Sequence, residues 1–190
     1  MEYIIGTRGS KLAVAQAEHV RTKLSQAYPE HKFEIRTIRT TGDRILDRPL
    51  HELGSKGIFV KEIEEDILNH KADIGVHSMK DMPSCPAAGL MFAKAWKRET
   101  PQDVLILREK TSLDELPQGA VIGTGSKRRE FQLKCLRNDI RVVNIRGNVD
   151  TRLQKMEEEK LDGIILAAAG LKRLGLQHKI TQYLNEDEMI

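Results

Sequence analysis

The sequence predicts an α/β protein with largely parallel sheets. Short β-rich apolar runs alternate with longer segments whose apolar residues recur at helical spacing. Several of the runs also end in loops rich in glycine, small hydroxyl residues and arginine, where open α/β sheets bind their ligands.

The elements follow in order. Tyr3-Ile4-Ile5 is a short strand. Leu12, Ala13, Ala17, Val20 and Leu24 share one helical face, and Pro29 lies just beyond. Residues 33–38 are β-rich, and Val60, Ile63, Ile67 and Leu68 mark a second helix. Ile74-Gly75-Val76-His77 is a candidate buried strand, followed by strand candidates at 90–95 and 104–107. Pro117-Gln118-Gly119 makes a turn before the strand Val121-Ile122-Gly123. A helix near 130–137, a strand at 142–145, a helix through Leu153 and Met156, a strand at 164–166 and a helix with Leu171 and Leu174 complete the pattern. The polar stretch 98–103, containing Pro101, reads as a crossing between two domains.

Composition narrows the function. The 190 residues, 39% hydrophobic and 31% charged, suffice for one domain or two small ones. No apolar stretch reaches membrane-spanning length, and the first residues lack the pattern of a signal peptide, so the expectation is a soluble cytoplasmic protein. Cys85 and Cys135 read as ordinary reduced thiols, and His70, His77 and Asp73 lack metal-ligand spacing, so no metal is expected. The acidic runs 62–66 and 157–159 read as solvated helix faces. A nucleotide site is disfavoured, because no G-x-x-x-x-G-K-[ST] occurs and Gly123-Thr124-Gly125 is not continued to G-x-x-G. Nucleic acid is disfavoured because aromatics make up only 4% of the chain and none lie beside the arginine loops.

Four loops concentrate the chemistry: Gly6-Thr7-Arg8-Gly9-Ser10, His77-Ser78-Met79-Lys80-Asp81, residues 123–129, and Ile145-Arg146-Gly147-Asn148. Glycine admits close backbone approach, helix N-termini offer N–H donors, and arginine supplies a planar fork for carboxylate or phosphate. Arg8, Arg128, Arg129, Arg146 and Arg152 thus fit one polyanionic ligand, and they equally fit surface charges or internal ion pairs. Asp81, after a strand and before Met82-Pro83, fits either a cation-stabilising or proton-shuttling acid or a plain turn residue.

These loops resemble the signatures of porphobilinogen deaminases. The resemblance rests on Val76-His77-Ser78-Met79-Lys80-Asp81-Met82-Pro83, Gly6-Thr7-Arg8-Gly9-Ser10-Lys11-Leu12-Ala13, Thr41-Gly42-Asp43, Gly57-Ile58-Phe59-Val60-Lys61-Glu62, Ile145-Arg146-Gly147-Asn148, Thr151-Arg152-Leu153 and the run 164–171. It covers essentially the whole chain, in the family's order. It implies two lobes like those of type II periplasmic binding proteins, each a mostly parallel sheet flanked by helices, with domain one at 1–96 and domain two at 97–190.

The implied activity is hydroxymethylbilane synthase. Four porphobilinogen molecules condense, with loss of ammonia, into a linear tetrapyrrole of heme biosynthesis. Porphobilinogen and the growing polypyrrole are the implied partners, with no nucleic acid or membrane. By resemblance Asp81 stabilises developing positive charge at the pyrroles, and Arg8, Arg128, Arg129, Arg146 and Arg152 bind acetate and propionate groups. Ser10, Lys56, Ser78, Lys80, Thr124, Ser126 and Asn148 are supporting contacts, and Phe59 matches an aromatic residue near the cleft. The implied cofactor is dipyrromethane.

Two departures stand out. Thr124-Gly125-Ser126 replaces the family's usual Thr-Ser-Ser. The family's third domain, with the cofactor-bearing cysteine, and the segment returning to domain one find no match, and neither Cys85 nor Cys135 sits in the cysteine's position. Full-length members are expected to be monomeric. This chain is expected to be an inactive substrate-binding fragment with an incomplete first sheet that invites self-association. The alternative is a non-catalytic two-lobed anion-binding module.

Overall fold

Two compact units, Met1–Trp96 and Lys97–Ile190, make up the computed structural model, which describes residues 1–44, 57–109 and 112–189. The first unit holds β1 (Glu2–Arg8), α1 (Lys11–Ala27), β2 (Lys32–Ile38), α2 (Thr41–Arg44), α3 (Lys61–Leu68) and β3 (Ile74–Gly75). Its sheet has the order β2-β1-β3 and is parallel throughout, with Ile5 opposite both Ile35 and Ile74. The periodic face read from the sequence is the one α1 buries. Ala17, Val20 and Leu24 pack with Ile5, Phe33, Ile35, Ile74 and Val76. Ser10 caps the helix by accepting the Ala13 N–H at 3.3 Å, which satisfies one of the donors that a helix start leaves over.

Two strand expectations change here. The candidate over 74–77 shortens to Ile74–Gly75, half-buried, because only β1 is beside it and the ladder ends after two residues. Residues 90–95 form no strand. Their apolar content suits a pleated surface, but they pair with no strand among the described residues, and Met91 is 86% exposed.

The second unit holds β4 (Asp103–Leu107), β5 (Val121–Gly123), α4 (Lys127–Leu136), β6 (Arg141–Val143), α5 (Val149–Glu158), β7 (Gly163–Ala167), α6 (Ala168–Arg173) and β8 (Gln182–Tyr183). The sheet order is β6-β5-β7-β4-β8. The β6-β5-β7 part is parallel, whereas β4 runs antiparallel to both β7 and β8. The strand β8 is two residues long, too short for any periodicity to show in the sequence.

Burial on both faces explains why β4 reads as a continuous apolar run. Leu105 and Leu107 enter one cluster with Leu133 of α4, and Val104 and Ile106 enter another with Met156 of α5. Gly163 sits where β7 meets its neighbours. A Cβ there would lie 2.6 Å from Leu107 Cδ2 and 2.8 Å from the Ile106 carbonyl oxygen. Since that oxygen is backbone in a buried ladder, Gly163→Ala is expected to destabilise the second unit by about 1–3 kcal/mol, the range for overpacking. Urea denaturation checks it, and an unchanged midpoint would show that the strands separate at no cost.

Candidate anion-binding loops

The arginine sites are built from the ends of strands. In the first unit β1 delivers Arg8 at its last position, with the buried hydroxyl of Thr7 donating to the Ala13 carbonyl at 3.3 Å. The Arg8 Nε–H lies 3.1 and 3.3 Å from the two Asp43 carboxylate oxygens, and Nη2 joins the same group. Asp43 also accepts the Thr40 hydroxyl at 2.7 Å. Burial disfavours the charged Asp43, but hydrogen bonds from Arg8 and Thr40 and the Arg8 charge outweigh it, so its pKa falls below the ordinary 3.8.

Phe59 completes the seat. The Arg8 guanidinium carbon stands 4.0 Å from the Phe59 ring centroid, a cation–π arrangement. The ring in turn lies against Gly42, where a Cβ would meet Phe59 Cε1 at 2.1 Å. Gly42 is therefore the space that the aromatic fills. The separate motifs Thr41-Gly42-Asp43 and Gly57-Ile58-Phe59 converge on one arginine.

The expectation of a fully solvated acidic face on α3 fails at Glu62. Its carboxylate accepts the Thr41 backbone N–H at 2.7 Å together with the Thr41 hydroxyl. Burial raises its pKa, but these bonds prevail and leave it lowered.

Asp81 ends a single 3₁₀ turn, Met79–Asp81, and is half-buried; its backbone N–H donates to the Ser78 carbonyl at 2.9 Å. Ser78 donates its hydroxyl to Gln16 of α1 at 2.9 Å. Lys80 is exposed on the same turn. Burial lowers the pKa of His77, Asp81 raises it and Arg8 lowers it again, with a net fall. The net effect favours the neutral imidazole of His77. Lys56 lies outside the described residues.

In the second unit, Ser126 caps α4 by accepting the Arg129 N–H at 3.4 Å, and its own N–H donates to Thr124 Oγ1 at 3.2 Å. Thr124 is buried. Both arginines of the loop reach Asp103, the first residue of β4. Arg129 binds it through Nη2 at 2.7 Å and Nε at 3.0 Å, and Arg128 through Nη2 at 2.8 Å. Arg128 also donates to Gln132 at 2.8 Å.

Arg152 on α5 donates its Nε–H to the Gly147 carbonyl at 2.8 Å. Its burial, and then the like charges of Arg129 and Arg146, lower its pKa. An anion beside Arg152 would offset the like charges that bear on it there. Asn148 precedes α5 without a side-chain cap bond. Sequence reasoning missed Asp103 altogether, because a lone acid at the start of an apolar strand carries no motif.

Gly125 has a local explanation. A Cβ there would lie 2.8 Å from the Ile145 carbonyl oxygen and 3.3 Å from Asn144 Oδ1, so this loop is closed by its neighbour. Gly147, at φ +121°, occupies backbone space that favours glycine, and a Cβ there would meet Thr151 at 2.8 Å.

A family model described as porphobilinogen deaminase, dipyromethane cofactor binding domain, matches residues 3–190. The chain belongs to the porphobilinogen deaminase family. A porphobilinogen deaminase of Lachnospira eligens is 58% identical over 192 residues, covering 100% of this chain and 65% of that protein. One from Clostridioides difficile is 56% identical over 191 residues, covering 100% and 64%. The chain therefore spans about 65% of the length of these porphobilinogen deaminases. In fold it resembles a solved structure described as a probable amino-acid ABC transporter extracellular-binding protein from Bacillus subtilis. The two are 15% identical with a TM-score of 0.53, covering 97% of this chain and 78% of the other. The α/β class and the likeness to binding-protein lobes expected from the sequence hold. No helix among the described residues is long and apolar enough to cross a membrane.

The Arg8–Asp43 pair sets an acid limit. Because the folded pKa of Asp43 is lowered, the pairing contributes its full stability above the unfolded value near 3.8 and loses it as pH falls below that value. Asp43→Asn is expected to lower the melting temperature at neutral pH, with the gap to the unsubstituted chain closing below pH ~3.8. A gap independent of pH would show that packing, not charge, is what Asp43 supplies.

Proposed function

We propose that this chain binds porphobilinogen and the growing polypyrrole for the hydroxymethylbilane synthase reaction. The observation that carries the reading is the placement of Arg152, half-buried, bonded through Nε to the Gly147 carbonyl at 2.8 Å, and near enough to Arg129 and Arg146 for their like charges to bear on it. Each pyrrole brings an acetate and a propionate, and such a group of cations fits carboxylates far better than any neutral ligand. Within the second unit, Arg128, Asn148 and the hydroxyls of Thr124 and Ser126 extend the donor set; in the first unit Arg8, Lys80, the hydroxyl of Ser10 and that of Ser78, once released from Gln16, form a set of their own, to which Lys56 belongs by motif.

The reaction breaks the C–N bond of the porphobilinogen aminomethyl group. Ammonia leaves with the electron pair, and the positive charge spreads to the pyrrole nitrogen. The free α-carbon of another pyrrole attacks the methylene carbon and then loses its proton. Asp81 is the acid suited to that cation. It sits on a backbone-bonded turn near His77, whose burial favours the neutral imidazole over the cation.

The same arginines suit the carboxylates of a dipyrromethane. When bound, that group supplies the acceptor end that the reaction extends. We place its attachment cysteine outside these 190 residues, since Cys85 and Cys135 lie in neither a matching motif nor the arginine loops. On this reading the chain alone binds substrate without sustained turnover. A non-catalytic anion-binding module is the second reading, favoured by the engagement of Arg128 and Arg129 with Asp103, and it assigns Asp81 no chemistry.

Calorimetry with porphobilinogen tests the site. Arg152→Ala is expected to weaken binding by about 1.5–3 kcal/mol, the range for hydrogen bonds to charged groups, and unchanged affinity removes Arg152 from the site. Asp81→Asn separates the two readings. In the chain joined to the remaining length of a relative, uroporphyrin formation is expected to fall about 100-fold or more, as for loss of a charge-stabilising group, with a nearly unchanged melting temperature. Near-normal formation favours the module reading.

A further inference from the structure

Among the described residues of the second unit Asp103 is the one buried acid, 2% exposed, and it is bound to two arginines in the first turn of α4. Its two oxygens take three bonds from two guanidiniums. Oδ1 accepts Arg129 Nη2, and Oδ2 accepts both Arg129 Nε and Arg128 Nη2. The Nη1 of Arg129 reaches the Ile165 carbonyl of β7 at 3.3 Å. Arg129 is thereby fixed to β4 and β7 by its side chain, and to the Ser126 cap by its backbone N–H. Two adjacent arginines in a helix's first turn repel each other and the positive end of the helix dipole. A carboxylate beneath them offsets that repulsion and orients both forks. Its own position comes from β4, where Asp103 pairs with Ala167 of β7.

We propose that Asp103 is a positioning residue for the second unit's carboxylate site: it sets the orientation of Arg128 and Arg129 and stays bonded to them while they hold a ligand. The proposal rests on the reading of these loops as a carboxylate site. It has a consequence that a purely structural role lacks. Removing the Asp103 charge makes the site more positive yet less ordered, so a ligand read by geometry and a ligand read by charge respond in opposite ways.

The test is the Asp103→Asn variant, which keeps size and polarity. Two probes are titrated into the variant and the unsubstituted chain, porphobilinogen and inorganic sulfate. The Kd for porphobilinogen is expected to rise about tenfold, the scale of one oriented charge-assisted bond, while sulfate binds as well as before or better. Parallel weakening of both probes, or no change in either, overturns the proposal. No porphobilinogen binding to the unsubstituted chain overturns the carboxylate-site reading and the proposal with it. Arginine side-chain NMR of the unsubstituted chain supplies a second measurement that needs no variant. The Arg129 Nε–H is expected to stay slow to exchange when porphobilinogen is added. Its loss of protection on ligand binding would make Asp103 a competitor that must be displaced, and overturns the proposal.

Discussion

Guanidinium groups that are to share one anion must first tolerate one another. At a few ångströms two like charges repel by several kcal/mol in surroundings partly screened from water, so an arginine-rich loop needs acids placed behind it. Asp43 lies behind Arg8 and Asp103 behind Arg128 and Arg129. Both acids come from positions fixed by the fold, one in the single turn of a short helix and one at the start of a buried strand. Much of the local architecture follows from seating them. Thr40 turns its hydroxyl onto Asp43, Phe59 underlies Arg8, and β4 runs between β7 and the edge strand β8 with Asp103 as its first residue.

The same economy governs the glycines of these loops. At Gly42 the missing side chain is space for an aromatic ring, and at Gly125 it is space for the carbonyl of a neighbouring loop. The first makes a platform for a cation. The second presses residues 124–126 against the segment carrying Arg146 and so brings two of the candidate loops together within the second unit. Gly125 therefore exchanges a hydroxyl donor for closeness.

The sequence makes legible whatever repeats or carries a motif. The helix face of Leu12, Ala17, Val20 and Leu24, the strands of the second unit other than β8, and the loops with Arg8, Asp81, Ser126 and Arg146 all have such a signature. What stays hidden is pairing across distance. The strand-like stretch 90–95 has the composition of a strand, but composition does not supply a ladder partner. The direction of β4 is set by which strands it meets, and its buried run is the same read either way. Asp103 is invisible for the same reason: its partners are 25 and 26 residues away. Glu62, counted by pattern as one of a run of solvated acids, is instead taken up by Thr41, 21 residues back.

Arg128 and Arg129 are neighbours in sequence, but the fold gives them unequal work. Every side-chain nitrogen of Arg129 has an internal acceptor, two on Asp103 and one on the Ile165 carbonyl, and its side chain is only 14% exposed. Arg128 is 46% exposed and is tethered through its two terminal nitrogens alone, one to Asp103 and one to the side chain of Gln132. A ligand carboxylate arriving from solvent meets Arg128 with little reorganisation, whereas capturing Arg129 outright would cost a buried, bidentate pair and leave a carboxylate at 2% exposure without its main partner. On the proposed reading, Arg129 would contribute through the charge it projects toward Arg152 and through donors left over from Asp103, and Arg128 through direct contact. The paired arginine motif is in this sense one anchor and one hand, and the division follows from which of the two side chains the buried acid holds with both of its oxygens.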